Sequence, residues 1–378
     1  MKSGEMSNSQ TTALAALSQS LACPMNLLRL TDKGVYCPAG GFYIDPWTRV
    51  DRALITHAHS DHAVPGSRNY LACQAGEHIL IKRLGPMGRK SFLRYGESKT
   101  VNGVRVSFHP AGHVLGSSQI RLEYRGHVWV VTGDYKLQSD PTCAPFEPIR
   151  CNVLVSETTF GLPVFQWPEP RQVFDDINEW WQENQKCGMA SIVYAYALGK
   201  AQRILSGVQN EIGPIFVHGA IHQINQGYAK DGVQLPNTQY TGKLSVKPDW
   251  TQALIVAVPS AQGTPWMRRF GPSRTAMASG WMQLRGTRRR RSVDRGFVLS
   301  DHVDWPDLLK AISASQASEV WLTHGYTDHV SRYLQEKGYE TRTLETRFRG
   351  ETFDEDGDVE QASENAPRKE PPVQGEIT

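Results

Sequence analysis

No two cysteines of this chain stand in C-x-x-C spacing, and the six present, Cys23, Cys37, Cys73, Cys143, Cys151 and Cys187, are scattered. That pattern offers neither a redox pair nor a disulfide framework, and it predicts reduced, buried thiols in a cytosolic protein. No apolar run is long enough for a membrane helix. The stretch TTALAALSQSLACP near the start is interrupted by Ser18, Gln19 and Ser20 and preceded only by Lys2, so it reads as a floppy extension or short helix rather than a signal peptide. No internal repeat is visible. Basic residues are scarce at one end only: Glu351 to Thr378 holds nine acidic and two basic residues, which leaves the other 350 residues at +10. A basic body with an acidic tail is compatible with a polyanionic substrate.

What is present suggests two globular domains. The chain has 378 residues, and its 33 glycines and 10 tryptophans point to a turn-rich, well-packed protein. The body begins near Leu27. VRVSFHPAGH and QIRLEYRGHVWVVTGD read as strands, with a hairpin across Arg125-Gly126, and NVLVSETTFG reads as another. PEPRQVFDDINEWWQENQKCG then carries helix start and stop signals. Strand and helix patterns alternate after it, through ASIVYAYALGKAQRILSG, GPIFVHGAI and QALIVAVPSAQG, and predict a parallel α/β unit. A helix WPDLLKAISAS, a strand EVWLTHGY and a helix TDHVSRYLQEKG follow. The acidic, proline-rich stretch beyond Gly350 is expected to be disordered.

The chemistry concentrates in HAHSDHA, residues 57 to 63. The strand RALIT feeds into it, and in extended backbone residues two apart point the same way, so His57 and His59 can share one metal. If the chain then curls, Asp61 and His62 can reach a second. Imidazole and carboxylate without thiolate suit zinc or manganese, with nickel or iron as further fits. This is not the H-E-x-x-H pattern of a helix face. His78, His127, His218, His222 and His329 suggest no function.

THAHSDH resembles the signature of the metallo-β-lactamase superfamily, and other pieces resemble it in order. Asp45 of YIDP falls where the superfamily has an aspartate bracing the metal loop, His113 of AGHVLGS at its third histidine motif, and Asp134 of TGDYK at its bridging aspartate. The resemblance implies one metal on His57, His59 and His113, a second on Asp61, His62 and His324, and Asp134 between them. His324 of WLTHGY lies 190 residues beyond Asp134, a gap that resembles the β-CASP branch of nucleic-acid processing nucleases. Glu157 of SETTFG, His302 of LSDHVDW and His324 match that branch's later motifs. YALGKAQ and SDHVDWPDLL are similar to the bacterial ligase-associated DNA exonucleases.

The resemblance implies an α/β fold, a metallo-β-lactamase αββα sandwich with an inserted α/β β-CASP domain. Residues 1–26 would be a flexible extension, 27–165 and 298–350 the metallo-β-lactamase domain, 166–297 the insertion and 351–378 a disordered acidic tail. It also implies a cytoplasmic, two-metal nuclease, with zinc before manganese and DNA before RNA, acting in repair beside a DNA ligase and a helicase. His302 would act on the substrate, with Glu157 orienting it. Arg288, Arg289, Arg290 and Arg291 of RGTRRRRSVDRG would contact the phosphate backbone. Trp266 and Trp281 flank that run and could stack on bases or pack within the insert. The rival readings are an RNA-processing nuclease of the same branch, a small-molecule metallo-hydrolase, and a binding subunit without metal.

Overall fold

A computed structural model describes residues 26–347 apart from residue 245. The expected extension at 1–26, save Asn26, and the expected acidic tail at 351–378 lie outside the described residues.

Three sheets organise the chain. The first has six strands in sequence order: β1 (Arg29–Thr31), β2 (Gly34–Cys37), β3 (Phe42–Ile44), β4 (Arg52–Ile55), β5 (Asn69–Cys73) and β6 (Arg89–Leu93). The second has seven. Four come from β7 (Ser98–Val101), β8 (Val104–Pro110), β9 (Ser118–Tyr124) and β10 (His127–Val131), and three from β11 (Val153–Thr158), β18 (Glu319–Gly325) and β19 (Glu340–Thr343). The third is wholly parallel, in the order β14-β13-β15-β12-β16-β17, and runs from β12 (Ala190–Tyr194) through β13 (Ile215–Val217), β14 (Gln239–Tyr240), β15 (Leu254–Ala257) and β16 (Ser273–Ala278) to β17 (Arg295–Phe297).

The β9–β10 hairpin closes as expected, with Arg125 at φ 51° and Gly126 at φ 79°. Positive φ at both central residues matches the right-handed twist of the flanking strands.

The first two sheets share one core, in which Val35, Phe42, Ile44 and Leu71 meet Val106, Phe108, Ile120, Leu122 and Val155. Helix α1 (Glu77–Leu84) covers the outer face of the first sheet through Ile79, Leu80 and Leu84. Helices α6 (Trp305–Ser315) and α7 (Thr327–Glu336) cover the second through Leu308, Ile312, Val330 and Leu334. The layers are thus helix, sheet, sheet, helix, which is the mixed α/β sandwich expected.

The third sheet has its own core with α2 (Pro170–Lys186) and α3 (Lys200–Gly207), built on Ile177, Trp180, Trp181, Ile204, Ile192 and Ile255. It is threaded between β11 and β18, which are hydrogen-bonded parallel neighbours in the second sheet. The chain therefore leaves the sandwich and returns to it at one edge, the carboxyl ends of the parallel strands. That edge is where ligands of open α/β sheets bind.

Three local expectations need correction. The segment after GPIFV is a helix, α4 (Gly219–Lys230), capped by the His218 side chain. The arginine run, which read in sequence only as a basic segment, is partly helical. Residues Arg285–Arg290 form a short helix, α5. The free thiols are not uniformly buried: Cys37, Cys73 and Cys151 are, but Cys187 is exposed and Cys143 is half-buried. Cys23 lies outside the described residues.

Candidate metal centre

The site residues hang on strand ends. His57 follows β4, Asp134 follows β10, Glu157 ends β11 and His324 lies near the end of β18. Two glycines let the loops close. Gly133, at φ 57°, packs so tightly on Thr56 that a Cβ would meet the Thr56 Cβ at 2.7 Å. Gly112, at φ 76°, would place a Cβ 2.2 Å from the Lys136 carbonyl oxygen. Each precedes a candidate ligand, Asp134 and His113.

His57, His59, His113 and Asp134 each offer one ligand atom, and these atoms lie within 4.8 Å of one another. The Nε2 of His57 is 3.0 Å from Nδ1 of His59, which is 3.1 Å from Nε2 of His113. Oδ2 of Asp134 lies 3.5 Å from His57 and 3.8 Å from His113.

The outer nitrogen of each ring is tied to an oxygen. Nδ1–H of His113 donates to the Asp301 carbonyl at 2.7 Å, and Nε2–H of His59 donates to the Leu198 carbonyl at 3.2 Å. Nδ1–H of His57 donates to Thr56 Oγ1 at 3.0 Å, whose own proton goes to Asp45 at 2.6 Å. Carbonyls only accept, so these partners fix the tautomers and turn a lone pair of each ring inward. Burial, together with neighbouring imidazoles, lowers the pKa of His57, His59 and His113, so the rings stay neutral. Burial works against ionising Asp134, but His62 and His302 outweigh it and hold its pKa well below the usual range.

Three lone pairs and a carboxylate facing one point fit a cation. A tetrahedral site with arms of about 2.05 Å has edges of about 3.3 Å, close to the spacings here.

The second expected set assembles through Asp134. Its Oδ2 is 3.5 Å from His62 Nε2 and its Oδ1 is 3.4 Å from His324 Nε2, while Asp61 lies 3.6 Å from His62. This set is more open than the first, with the His62 and His324 rings 6.4 Å apart. Burial would lower the pKa of His62, but Asp134 and Asp61 raise it well above normal. The same carboxylates would attract a metal ion at Nε2. Asp45, at φ 42°, accepts from Thr56 N at 2.8 Å and from His62 Nδ1 at 2.8 Å, and so ties β4 to the curled loop.

His302 stands apart from both sets in its bonding. Its Nδ1 bonds Glu157 Oε2 at 2.8 Å and lies 4.0 Å from Asp134. Burial lowers its pKa, but Glu157 and Asp134 outweigh that and raise it. Glu157 is held in turn by the Tyr135 N–H at 2.8 Å and by the Thr159 hydroxyl. Ligand atoms of Asp134, Glu157 and His302 also close within 4.8 Å of one another.

Beneath His302 the Phe160 ring lies 6.0 Å away, and Trp281 packs on Phe160 at 5.0 Å and on Phe165 at 5.7 Å. Trp281 is therefore spent on packing. The arginine run follows its 3-10 turn directly, with Arg289 and Arg290 exposed and Arg291 half-buried; the Arg288 side chain is outside the described set.

Sequence reasoning missed a buried charge cluster behind the site. Lys136, Lys200, Arg203, Asp140 and Asp301 are all buried. Lys136 donates to Asp140 at 2.7 Å and lies 3.5 Å from Asp301. Arg203 lies 3.6 Å from Asp301 and 3.8 Å from Asp140, and Lys200 is 4.0 Å from Asp301. The cluster joins the loop after β10, helix α3 of the third sheet and the returning chain. It borders His113 through the Asp301 carbonyl and through the Lys136–His113 carbonyl bond of 3.3 Å. The spacings K-x-x-x-D and K-x-x-R were the available signals, but exposed residues show them as often.

No family model matches the chain. It is 30% identical over 310 residues to a probable DNA ligase of Opitutus terrae, covering 81% of this chain and 30% of that protein. It is 32% identical over 297 residues to Endoribonuclease YSH1 of Saccharomyces cerevisiae, covering 63% of this chain and 38% of that one. The chain thus spans well under half the length of either relative. A crystal structure of a protein of unknown function from Enterococcus faecalis V583 shares the fold, with a TM-score of 0.52 over 79% of this chain and 80% of its own at 12% identity.

Proposed function

We propose a function from one premise: the chain fits the β-CASP nuclease branch of the metallo-β-lactamase superfamily. On this reading it hydrolyses phosphodiester bonds of nucleic acid with two divalent ions, zinc before manganese. The observation that carries the reading is the closure of His57, His59, His113 and Asp134 within 4.8 Å, with the outer ring nitrogens tied to oxygens.

The first ion would be held by these four residues, and the second by Asp61, His62, Asp134 and His324. Divalent ions there would offset the negative charge that develops on the phosphate and acidify an attacking water. Asp134 reaches both sets because a carboxylate has two oxygens. His302 holds a proton between Glu157 and the substrate and delivers it to the leaving oxygen, while Glu157 keeps the ring oriented. The third sheet with its helices, residues 166–297, is read as the inserted β-CASP domain, with 27–165 and 298–350 as the sandwich domain. Arg288 to Arg291 reach the phosphate backbone from that insertion.

DNA stands before RNA because the relative matched over 81% of the chain is named for DNA ligation, and exonuclease action in repair, beside a ligase and a helicase, goes with that choice. The endoribonuclease relative supports RNA as the second reading. A cytoplasmic location belongs to the same proposal; no helix among the described residues is long and apolar enough to cross a membrane.

End-labelled DNA and RNA strands digested under several metals test the reading, with His302→Ala beside the wild type. The expected result is metal-dependent cleavage of DNA in preference to RNA. The variant should keep its metals and lose about 10²–10⁴-fold in rate. Loss of a metal from His302→Ala would make this residue a ligand, and absence of cleavage under every metal would end the nuclease reading.

A further inference from the structure

A cavity of about 560 Å³ opens between helix α1 of the sandwich and the α4 side of the third sheet. Roughly 300–1,000 Å³ is usual for a site that takes a small organic unit. Its cationic side chains are Lys82 and Arg83 from α1 and Arg269 from the segment before β16, and no carboxylate is among its lining residues. The first residues of α4, Gly219 and Ala220, also line it, so the positive end of that helix adds to the cations.

Two aromatic rings face the same space, Tyr240 and Trp266. Both are held in place. Tyr240 stacks on His222 at 5.0 Å with an interplanar angle of 11°, and Trp266 sits edge-on against His218 at 5.0 Å and Phe270 at 4.7 Å. The Arg269 guanidinium lies 5.6 Å from the Trp266 ring centre. Rings fixed beside cations can receive a base without first being ordered, and that lowers the cost of binding.

The cavity shares a wall with the metal cluster. Leu198 lines it, and the Leu198 carbonyl accepts from His59 Nε2. Arg83 lines it too, and its Nε donates at 3.2 Å to the carbonyl of Ala58, the residue between His57 and His59. Lys82 reaches across to Gln223 of α4 at 2.6 Å, so the two walls are linked at the rim.

We propose that this cavity binds one nucleotide unit of a single-stranded nucleic acid, with the base against Trp266 and Tyr240 and the phosphates against Lys82, Arg83 and Arg269. The proposal rests on the nuclease reading for the identity of the strand. A paired base has no free face to offer the two rings, so the site favours single strands over duplex.

Binding is measured by fluorescence anisotropy of labelled oligo(dT), of the matching duplex, and by competition with thymidine monophosphate, all in chelator so that nothing is cleaved. Trp266→Ala should weaken oligo(dT) binding by about 10- to 100-fold. Arg269→Gln should lower the slope of log affinity against log salt by about 1. Neither should change duplex binding. Trp266 packs on the core of the third sheet, and Arg269, though exposed, donates to the Trp266 and Thr241 carbonyls at 3.1 Å each, so unchanged circular dichroism and thermal melts are required of both variants. Wild-type oligo(dT) affinity and salt slope in Arg269→Gln overturn the proposal, as does an equal loss for duplex. Thymidine monophosphate competing as well as the strand would make this a site for free nucleotide instead. Oligo(dT) binding in chelator, together with no cleavage of the same strand once zinc or manganese is restored, would end the nuclease reading and leave the subsite standing. Cleavage in the metal-restored arm, with unaltered binding by the variants in chelator, would do the reverse.

Discussion

Asp45 belongs to neither ligand set, yet one histidine of each depends on it. One carboxylate oxygen receives the Thr56 hydroxyl and the His62 ring, and the same hydroxyl receives His57. Removing the charge while keeping the shape tests that role. Asp45→Asn leaves a side chain that must place an NH₂ where one acceptor stood. Such changes behind a metal ligand typically cost about 10–100-fold in metal affinity. Competition against a chromogenic chelator should show that loss for Asp45→Asn, with the circular dichroism spectrum retained; unchanged affinity would reduce Asp45 to a loop brace. His57 and His59 were legible in sequence because strand geometry fixes which side chains point together, whereas Asp45 was suggested only by the resemblance of YIDP to a superfamily motif. The carbonyls of Leu198 and Asp301 were not, since any residue supplies a carbonyl and only the folded chain decides which one arrives.

At the scale of elements, the strands were legible and their junctions were not. β10, β11 and β18 carried apolar β-branched runs that read directly as buried strands. Helix α4 was hidden by its glycine-flanked start, where His218 serves as the cap. The buried cluster that joins α3 to the sandwich could not be foreseen, because composition places lysine and arginine outside. It yields a prediction with a definite sign. Burial opposes the Asp140 charge, but Lys136 and Arg203 outweigh it and lower the pKa below the ordinary 3.8. A depressed carboxylate contributes stability above its unfolded pKa and loses it as pH falls through the folded one. Asp140→Asn should therefore cost about 3–5 kcal/mol near pH 7, because it leaves buried cations short of a partner. In urea melts the gap between wild type and variant should hold down to about pH 4 and narrow below it. A gap that stays constant to pH 3 would remove Asp140 from this role.

The whole molecule joins a four-layer sandwich to a parallel sheet inserted between two adjacent strands, and the candidate ligands gather where the chain leaves and returns. Ordered motifs along the sequence foretold that gathering, whereas the cavity behind His59 needs two distant helices and left no local pattern. On the proposed reading one carboxylate, Asp134, organises two metals. Protein stripped with chelator, reloaded with zinc or manganese and freed of excess metal is measured for ions per chain by elemental analysis, as wild type and as Asp134→Ala. Two ions per chain are expected in the wild type, with loss of at least one in the variant. One ion or none in the wild type, or two in Asp134→Ala, would contradict it.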